Sequence, residues 1–207
     1  MNRLKAVGLA VLAVIAVMAF AGSASATVLC STNTNPCTGT KYGVGTEIKT
    51  NLKAGTEAVL TAGFATFKCS ESALSGKVAN AGGAAATLSG NNTLVTFDTC
   101  NCTLTVILQG SEEFHWNGTN GSGTLTSTGT STTINCSGVS CLFGTAATGT
   151  TIGPVTGGSP ASIKAEAKLP YITGDASNFT CTLGSGTASF TASYEVTAPK
   201  PLFVEGS

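Results

Sequence analysis

The chain has 207 residues, a mean hydropathy of +0.29, and equal numbers of acidic and basic residues, ten of each. Only 10% of the residues are charged and the lysines are scattered, so the chain lacks the basic surface that nucleic-acid binding requires. This length suits one domain, with at most a small additional N-terminal piece.

The first 26 residues have the composition of a secretory signal peptide. Arg3 and Lys5 precede an apolar run over residues 6–21, and small residues follow it as far as Ala26. A charged start, a short apolar middle and a small-x-small end predict cleavage after Ala26. The run is shorter than the roughly 20 apolar residues of a membrane-spanning helix. We therefore predict a secreted or envelope-exterior protein with no membrane span after cleavage.

All the cysteines of the chain follow the predicted signal, and their even number in an exported chain predicts four disulfides. Two of these bonds are predicted to be local, joining Cys30 with Cys37 and Cys136 with Cys141. The other cysteines are predicted to join distant strands, and their pairing stays open. They are Cys69, Cys100, Cys102 and Cys181.

Taken in order, the chain is turn-rich over residues 27–55 and then becomes a series of short strands separated by glycine-rich turns. The two clearest strands cover residues 162–169 and 187–197, where apolar and polar residues alternate. Side chains of a strand point alternately to opposite faces, so Phe190 and Tyr194 are predicted to face the core. Residues 162–169 are expected to pair with this last long strand.

Many short strands without a helical pattern are typical of a sandwich or a barrel. We predict an all-β fold, a two-sheet antiparallel sandwich that is Ig-like or jelly-roll-like and linked by disulfides. The expected organisation is a signal peptide at 1–26, a disulfide-closed N-terminal segment at 27–55 and the β-sandwich domain at 56–207.

Glu113 and His115 share one face of a predicted strand, with Phe114 and Trp116 on the other. A histidine beside a carboxylate can act as a general base, so these two residues are weak catalytic candidates for a secreted hydrolase. No G-x-S-x-G sequence marks a nucleophile. The simpler interpretation is a solvated strand face opposite a buried aromatic pair.

Two other groupings contain metal-ligating or carboxyl side chains. Cys100 and Cys102 could bind a soft metal with His115, but the disulfide interpretation is favoured in an exported chain, and no metal or cofactor is expected. For glycoside hydrolysis two carboxyl groups must meet, whereas the adjacent Glu112 and Glu113 point to opposite faces.

Two further patterns concern the surface. Threonine recurs at every second position over residues 124–132, which predicts a solvent-facing row. Tyr42 and Tyr171 are the weak candidates for a binding surface that stacks on sugar rings.

Several short stretches resemble a known group of proteins: Lys68-Cys69-Ser70, Phe114-His115-Trp116, residues 121–130, Lys168-Leu169-Pro170 and residues 191–201. Over about residues 64–204 the chain resembles the uncharacterised small secreted β-rich proteins of actinobacterial type. The resemblance implies export and an all-β fold, and it implies no activity and no site.

These observations predict an exported, non-enzymatic protein with a binding or cell-envelope-associated role. Its partner is unknown, with a cell-surface glycan or a cell-surface protein as candidates. The alternative is the secreted hydrolase that uses Glu113 and His115. The reason for preferring the first is that no convincing catalytic grouping accompanies a scaffold built for an oxidising environment.

Overall fold

The computed structural model describes residues 26–63, 65–88, 94–108, 110–136, 139–172 and 186–207. Regular structure in these ranges consists of strands alone, and none of it is a helix that could cross a membrane. The predicted signal peptide lies outside these ranges except for Ala26. In chain order the strands are β1 (Thr27–Cys30), β2 (Glu47–Leu52), β3 (Ala58–Ala62), β4 (Ala65–Asn80), β5 (Ala86–Leu88), β6 (Leu94–Cys100), β7 (Thr103–Leu108), β8 (Ser111–Trp116), β9 (Ser122–Thr128), β10 (Ser131–Cys136), β11 (Val139–Gly144), β12 (Thr150–Thr156), β13 (Ser162–Pro170), β14 (Thr187–Ala198) and β15 (Phe203–Gly206).

Eight strands form a closed antiparallel barrel. Their order around the wall is β13-β12-β9-β8-β5-β4-β2-β14, and β14 then pairs with β13 to complete the ring. The all-β fold and its disulfides are confirmed, but the predicted two-sheet sandwich is wrong. A sandwich keeps two sheets with free edges, whereas here the first and last strands of one sheet are hydrogen-bonded to each other.

The ring is closed by the two strands that alternate most regularly in the sequence. Their ladder runs without interruption from Ser162 opposite Glu195 to Pro170 opposite Thr187. Ile163, Ala165 and alternate residues after them on β13 are buried, while the residues between them are exposed. The predicted pairing of these two strands is therefore confirmed, and the small inward side chains allow the wall to curve tightly.

The wall position between β4 and β14 is shared by two short strands. Both β2 and β3 run antiparallel to these neighbours, with Thr50 opposite Val196 and Val59 opposite Thr191. The residues between the two strands, 53–57, form a turn. The predicted boundary at residue 55 falls in this turn, and both strands belong to the barrel wall.

A three-stranded sheet, β11-β10-β7, extends the wall beyond a bend. Ser111 pairs with Thr128 before the bend, and Leu108 pairs with Ser131 after it, so β7 and β8 continue one another, as do β9 and β10. A Cβ on Gly110 would collide with the carbonyl oxygen of Thr128. Glycine is therefore required where the two strands bend together.

β1 and β15 pair with each other and pack against one end of the barrel. Leu29, Leu202 and Val204 are fully buried in the main core beside Phe114. A Cβ on Gly123 of β9 would lie 2.8 Å from Val204 Cγ1 and 2.5 Å from the carbonyl oxygen of His115. The missing side chain at Gly123 thus makes room for the C-terminal strand.

Disulfides join Cys30 with Cys37, Cys69 with Cys100 and Cys102 with Cys136. The first was predicted, but the predicted local bond between Cys136 and Cys141 is wrong. The ladder places Asn135 opposite Thr103, which brings Cys136 beside Cys102. Cys141 is also disulfide-bonded, and Cys181 lies outside the described residues. Such bonds indicate an oxidising environment.

We expect Gly123→Ala to destabilise the protein by about 1–3 kcal/mol, because the added methyl group must displace Val204 or the β8 backbone. The matched control is Gly43→Ala, where a Cβ meets nothing within 4 Å. Urea unfolding of both variants would measure the difference. Equal stabilities for the two variants would contradict the packing of β15 against β9.

Candidate functional site

The barrel interior contains a cavity of about 110 Å³ where the wall bends toward the three-stranded sheet. Most of its lining is apolar and comes from strands on every side of the barrel. The lining residues are Thr50, Ala58, Leu60, Phe67, Cys69, Leu74, Val95, Phe97, Leu104, Val106, Glu112, Leu125, Ser127, Thr130, Ser131, Thr132, Phe143, Gly144, Thr145, Ile152, Ile163, Leu169, Phe190 and Tyr194.

Glu112 is the single carboxyl group in this lining. It lies on the inward face of β8 together with Phe114, and only 4% of its surface is exposed. Its Oε1 accepts a hydrogen bond of 2.7 Å from the Ser127 hydroxyl on the neighbouring strand β9. Burial raises the pKa of Glu112 to about 8, and hydrogen bonds from Ser127 and Thr130 oppose this rise. The cavity therefore holds a carboxyl group that keeps its proton at neutral pH.

The bend in the wall gathers hydroxyl groups around this carboxyl. The Thr130 Oγ1 accepts a hydrogen bond from the Gly110 amide at 3.1 Å and lies 3.2 Å from the Ser127 Oγ. The Thr130 amide in turn donates to the Thr145 hydroxyl at 2.9 Å. Backbone groups that lose ladder partners at the bend thus find side-chain partners, and the same side chains face the cavity.

Tyr194 of β14 contributes a second polar group to the cavity. Its hydroxyl lies 2.8 Å from the Ser72 Oγ, which itself donates to the Thr96 carbonyl at 2.8 Å. Because the one proton of Ser72 is used in that bond, Tyr194 is the donor to Ser72. Burial raises the pKa of Tyr194 to about 12, and the negative charge of Glu112 adds to the rise. Glu112 and Tyr194 therefore face the same space.

The wall beside the cavity is interrupted between β6 and β7. Among the described strands, β6 pairs with β4 alone and β7 pairs with β10 alone, although a short turn joins the two. Phe97 on β6 and Val106 on β7 line the cavity and are each half-buried, and Leu94 is 53% exposed. We call this gap, between residues 94–100 and 103–108, the β6–β7 slit. Within the described residues, no ladder joins these two strands where they line the cavity.

The sequence-predicted pair Glu113 and His115 does come together. The His115 Nε2 lies 3.3 Å from the Glu113 Oε2, and each side chain is 34% exposed. Both are on the outer face of β8, where their cross-strand neighbours are Thr126 and Thr124. The pair is therefore formed outside the barrel and takes no part in the cavity.

Tyr42 and Tyr171, the predicted stacking residues, are both partly buried and lie in different parts of the molecule. The Tyr42 hydroxyl donates to the Pro201 carbonyl at 2.8 Å, which ties the N-terminal loop to the C-terminal tail. The Tyr171 ring packs edge-on against Phe143, with their centroids 5.9 Å apart. The structure does not bring the two tyrosines together as one surface.

The favoured disulfide interpretation of Cys100 and Cys102 is confirmed, since they are bonded to Cys69 and Cys136. The predicted threonine row changes face at the bend, because Thr124 remains outside whereas Thr132 lines the cavity.

Glu112 was missed as a functional candidate, although the signal was present in the sequence. Alternation along β8 places Glu112 on the same face as the buried Phe114. An acidic residue at an inward position of an amphipathic strand is unusual, because burying a carboxylate without a partner is costly. The sequence could not show that Ser127 and Tyr194 would face the same space, because that depends on how the barrel closes.

We expect Glu112→Gln to flatten the dependence of stability on pH. The folded-state pKa lies above the unfolded value, so the contribution of Glu112 is complete below about pH 4.5 and is lost as the pH rises toward 8. The loss is about 1.4 kcal/mol per pH unit, on the order of 4 kcal/mol between about pH 5 and pH 8. Denaturant unfolding at several pH values measures the slope.

The matched control is Glu113→Gln, which removes a half-exposed carboxyl from the opposite face of the same strand. Burial also raises the pKa of Glu205, but that slope is common to all three proteins. Parallel curves for wild type and Glu112→Gln would contradict a proton held on Glu112.

Comparison of the chain with known protein families, with curated proteins and with solved structures finds no match. The resemblance to secreted actinobacterial proteins consequently stays a prediction. What can be said of function rests on the geometry of the barrel interior.

Proposed function

We propose that this is an exported, non-enzymatic binding protein, and that its binding site is the cavity inside the barrel. The ligand is a small, largely apolar molecule. The observation that carries this proposal is a cavity of about 110 Å³ lined by apolar side chains around a single buried carboxyl group. Apolar pockets with a few convergent polar groups are the usual form of a small-molecule site.

The size of the cavity supports a binding role. Protein interiors are close-packed, and voids larger than a water molecule are few. A cavity of this volume costs about 2–3 kcal/mol at roughly 24 cal/mol per Å³. A ligand that restores the missing contacts with Leu60, Phe97 and Phe190 would recover much of that free energy.

The outer surface offers less to a large partner such as a glycan or another protein. The exposed large hydrophobic residues of the described ranges, Val44, Leu94 and Ile172, are single residues in different segments. The outer face of β13 carries alternating charges, and Lys164 forms an ion pair with Glu166. Such a face is typical of solvated surface, and a stable protein interface has an apolar centre.

Export is supported by the disulfides and by the predicted signal peptide. The bonds between Cys69 and Cys100 and between Cys102 and Cys136 each close a loop of more than thirty residues. Bonds of this kind contribute typically 2–4 kcal/mol in an oxidising compartment. They stabilise the part of the barrel in which the cavity lies.

We expect benzene and butanol to raise the thermal stability of the wild type and to have no effect on Ala58→Phe. Ala58 lines the cavity, and the larger ring would fill it. A bound ligand at tenfold its Kd stabilises the folded state by about 1.4 kcal/mol. The matched control is Ala79→Phe, which places the same ring at an exposed position of β4.

Differential scanning calorimetry of the three proteins, with and without each compound, measures the shift in unfolding temperature. Stabilisation of the wild type and of Ala79→Phe, without stabilisation of Ala58→Phe, would support the proposal. No stabilisation of any of them, or equal stabilisation of Ala58→Phe, would contradict it.

The second candidate function is a secreted hydrolase that uses Glu113 and His115. The 3.3 Å contact between their side chains favours it, because a carboxylate can orient an imidazole that acts as a general base. The nearest cross-strand hydroxyl-bearing residue opposite His115 is Thr124. The pair lies on an outer wall, which lacks the water-excluding environment that strengthens catalytic electrostatics.

For the hydrolase we expect ester and glycoside panels to show turnover that is lost in His115→Ala and retained in Glu112→Gln. Release of a chromogenic leaving group would measure it. If wild type and His115→Ala give the same rate, the hydrolase hypothesis fails while the binding proposal is unaffected.

A further inference from the structure

We propose that the ligand of this cavity is a small apolar primary amine whose ammonium group binds the Glu112 carboxylate. The inference rests on the proposed binding function and specifies the chemical class of the ligand. Three features of the cavity lead to it: the kind of titratable groups in its lining, the hydrogen bonds that its hydroxyl groups already donate, and its size.

The titratable groups of the cavity disfavour carboxylates as ligands. Glu112 and Tyr194 are the titratable groups in its lining, and neither can become positively charged. Lys, Arg and His are absent from that lining, so a carboxylate ligand such as a fatty acid would find no counter-charge. A cation would find Glu112. A buried ion is tolerated only when it is paired, so the lining favours a positively charged ligand.

Four hydroxyl groups of the lining are already used as donors. Ser127 donates to Glu112, Thr132 donates to the Thr105 carbonyl, and Thr50 donates to the Leu74 carbonyl. The Tyr194 hydroxyl donates to Ser72, as described above. Once Glu112 is ionised, these groups and its carboxylate offer a ligand acceptor capacity on oxygen atoms. An ammonium group has three donors and no acceptor, which complements this arrangement.

The volume limits the apolar part of the ligand. A cavity of roughly 150 Å³ with an apolar lining can hold benzene, which has six heavy atoms. The present cavity of about 110 Å³ therefore suits a body of about four to six heavy atoms. The β6–β7 slit, lined by Phe97 and Val106, adjoins this space and would accommodate the end of a slightly longer chain.

Binding converts a buried acid into an ion pair. In the free protein Glu112 holds its proton at neutral pH, whereas the amine in water is an ammonium ion. When the two meet, the carboxyl group loses its proton to solvent and the carboxylate pairs with the ammonium ion. The number of charges inside the cavity rises from none to one pair, and one proton is released for each amine bound.

The experiment is a calorimetric titration of the oxidised protein at pH 7 with butylamine, butanol and butyrate, which are closely matched in size. We expect butylamine to bind at least about tenfold more tightly than butanol, and butyrate not to bind. Repeating the butylamine titration in buffers of different ionisation enthalpy should show release of close to one proton, because Glu112 has a pKa of about 8. This measurement requires no variant.

Glu112→Gln provides the second measurement. We expect it to weaken butylamine binding by more than about thirtyfold, because the carboxylate partner of the ammonium ion is gone. Butanol, which carries no charge, should lose much less affinity than butylamine, since its apolar contacts with the lining are unchanged. The matched control Glu113→Gln alters the outer face of the same strand and should bind all three compounds as the wild type does.

The outcomes separate this inference from the proposed function. If butanol binds and butylamine binds no more tightly, or binds without proton release, the amine is excluded while the cavity remains a binding site. If butyrate binds best, the charge argument is wrong. If none of the three compounds binds, both the amine and the binding function fail.

Discussion

The whole molecule depends on the ladder between β13 and β14, which joins the first and last strands of one sheet. Without it the wall would have two long unpaired edges, and the interior would be open along its length. The ladder is possible because the inward side chains of β13 include Ala165 and Ala167, which let two curved strands approach the core closely. Closure of the barrel separates an interior from solvent, and this interior contains the cavity and the buried Glu112 carboxyl group.

The bend beyond the barrel has the next largest influence on the interior. Where strands bend at Gly110 and Gly129, ladder hydrogen bonds are lost, and hydroxyl side chains replace some of them. Those side chains are polar and inward, so the bend introduces hydrogen-bonding groups into a space that is otherwise apolar. Glu112 lies directly beside this point, which explains how a carboxyl group can be accommodated there. The polarity of the cavity is thus a by-product of how the wall turns.

The sequence allowed some features of the fold to be predicted. Alternation over residues 162–169 and 187–197 identified two half-buried strands, because a period of two is a local property. The bond between Cys30 and Cys37 was predictable because only a short loop separates the two cysteines. The partner of Cys136 was not, because Cys102 is far away in sequence and becomes a neighbour only through the ladder between β7 and β10.

Closure of the barrel was also beyond local reasoning. Each strand of a sandwich and of a barrel has one inward and one outward face, so the hydrophobic pattern is the same in both. What distinguishes them is whether β14 meets β13 on its second edge. Prediction of the site was limited in the same way. Glu112 could be placed on an inward face, but its proximity to Tyr194 depends on strands that are far apart in sequence.

The short turn at Asn101 has a consequence for the β6–β7 slit. The cysteine before it is bonded to β4, and the cysteine after it is bonded to β10, so each side of the slit is covalently fixed to a different strand at this end. The Asn101 side chain adds two hydrogen bonds to the backbone of β4. The β6–β7 slit is therefore covalently fixed at the end near Asn101, so a reductant that cleaves these two disulfides would release its two sides from different strands.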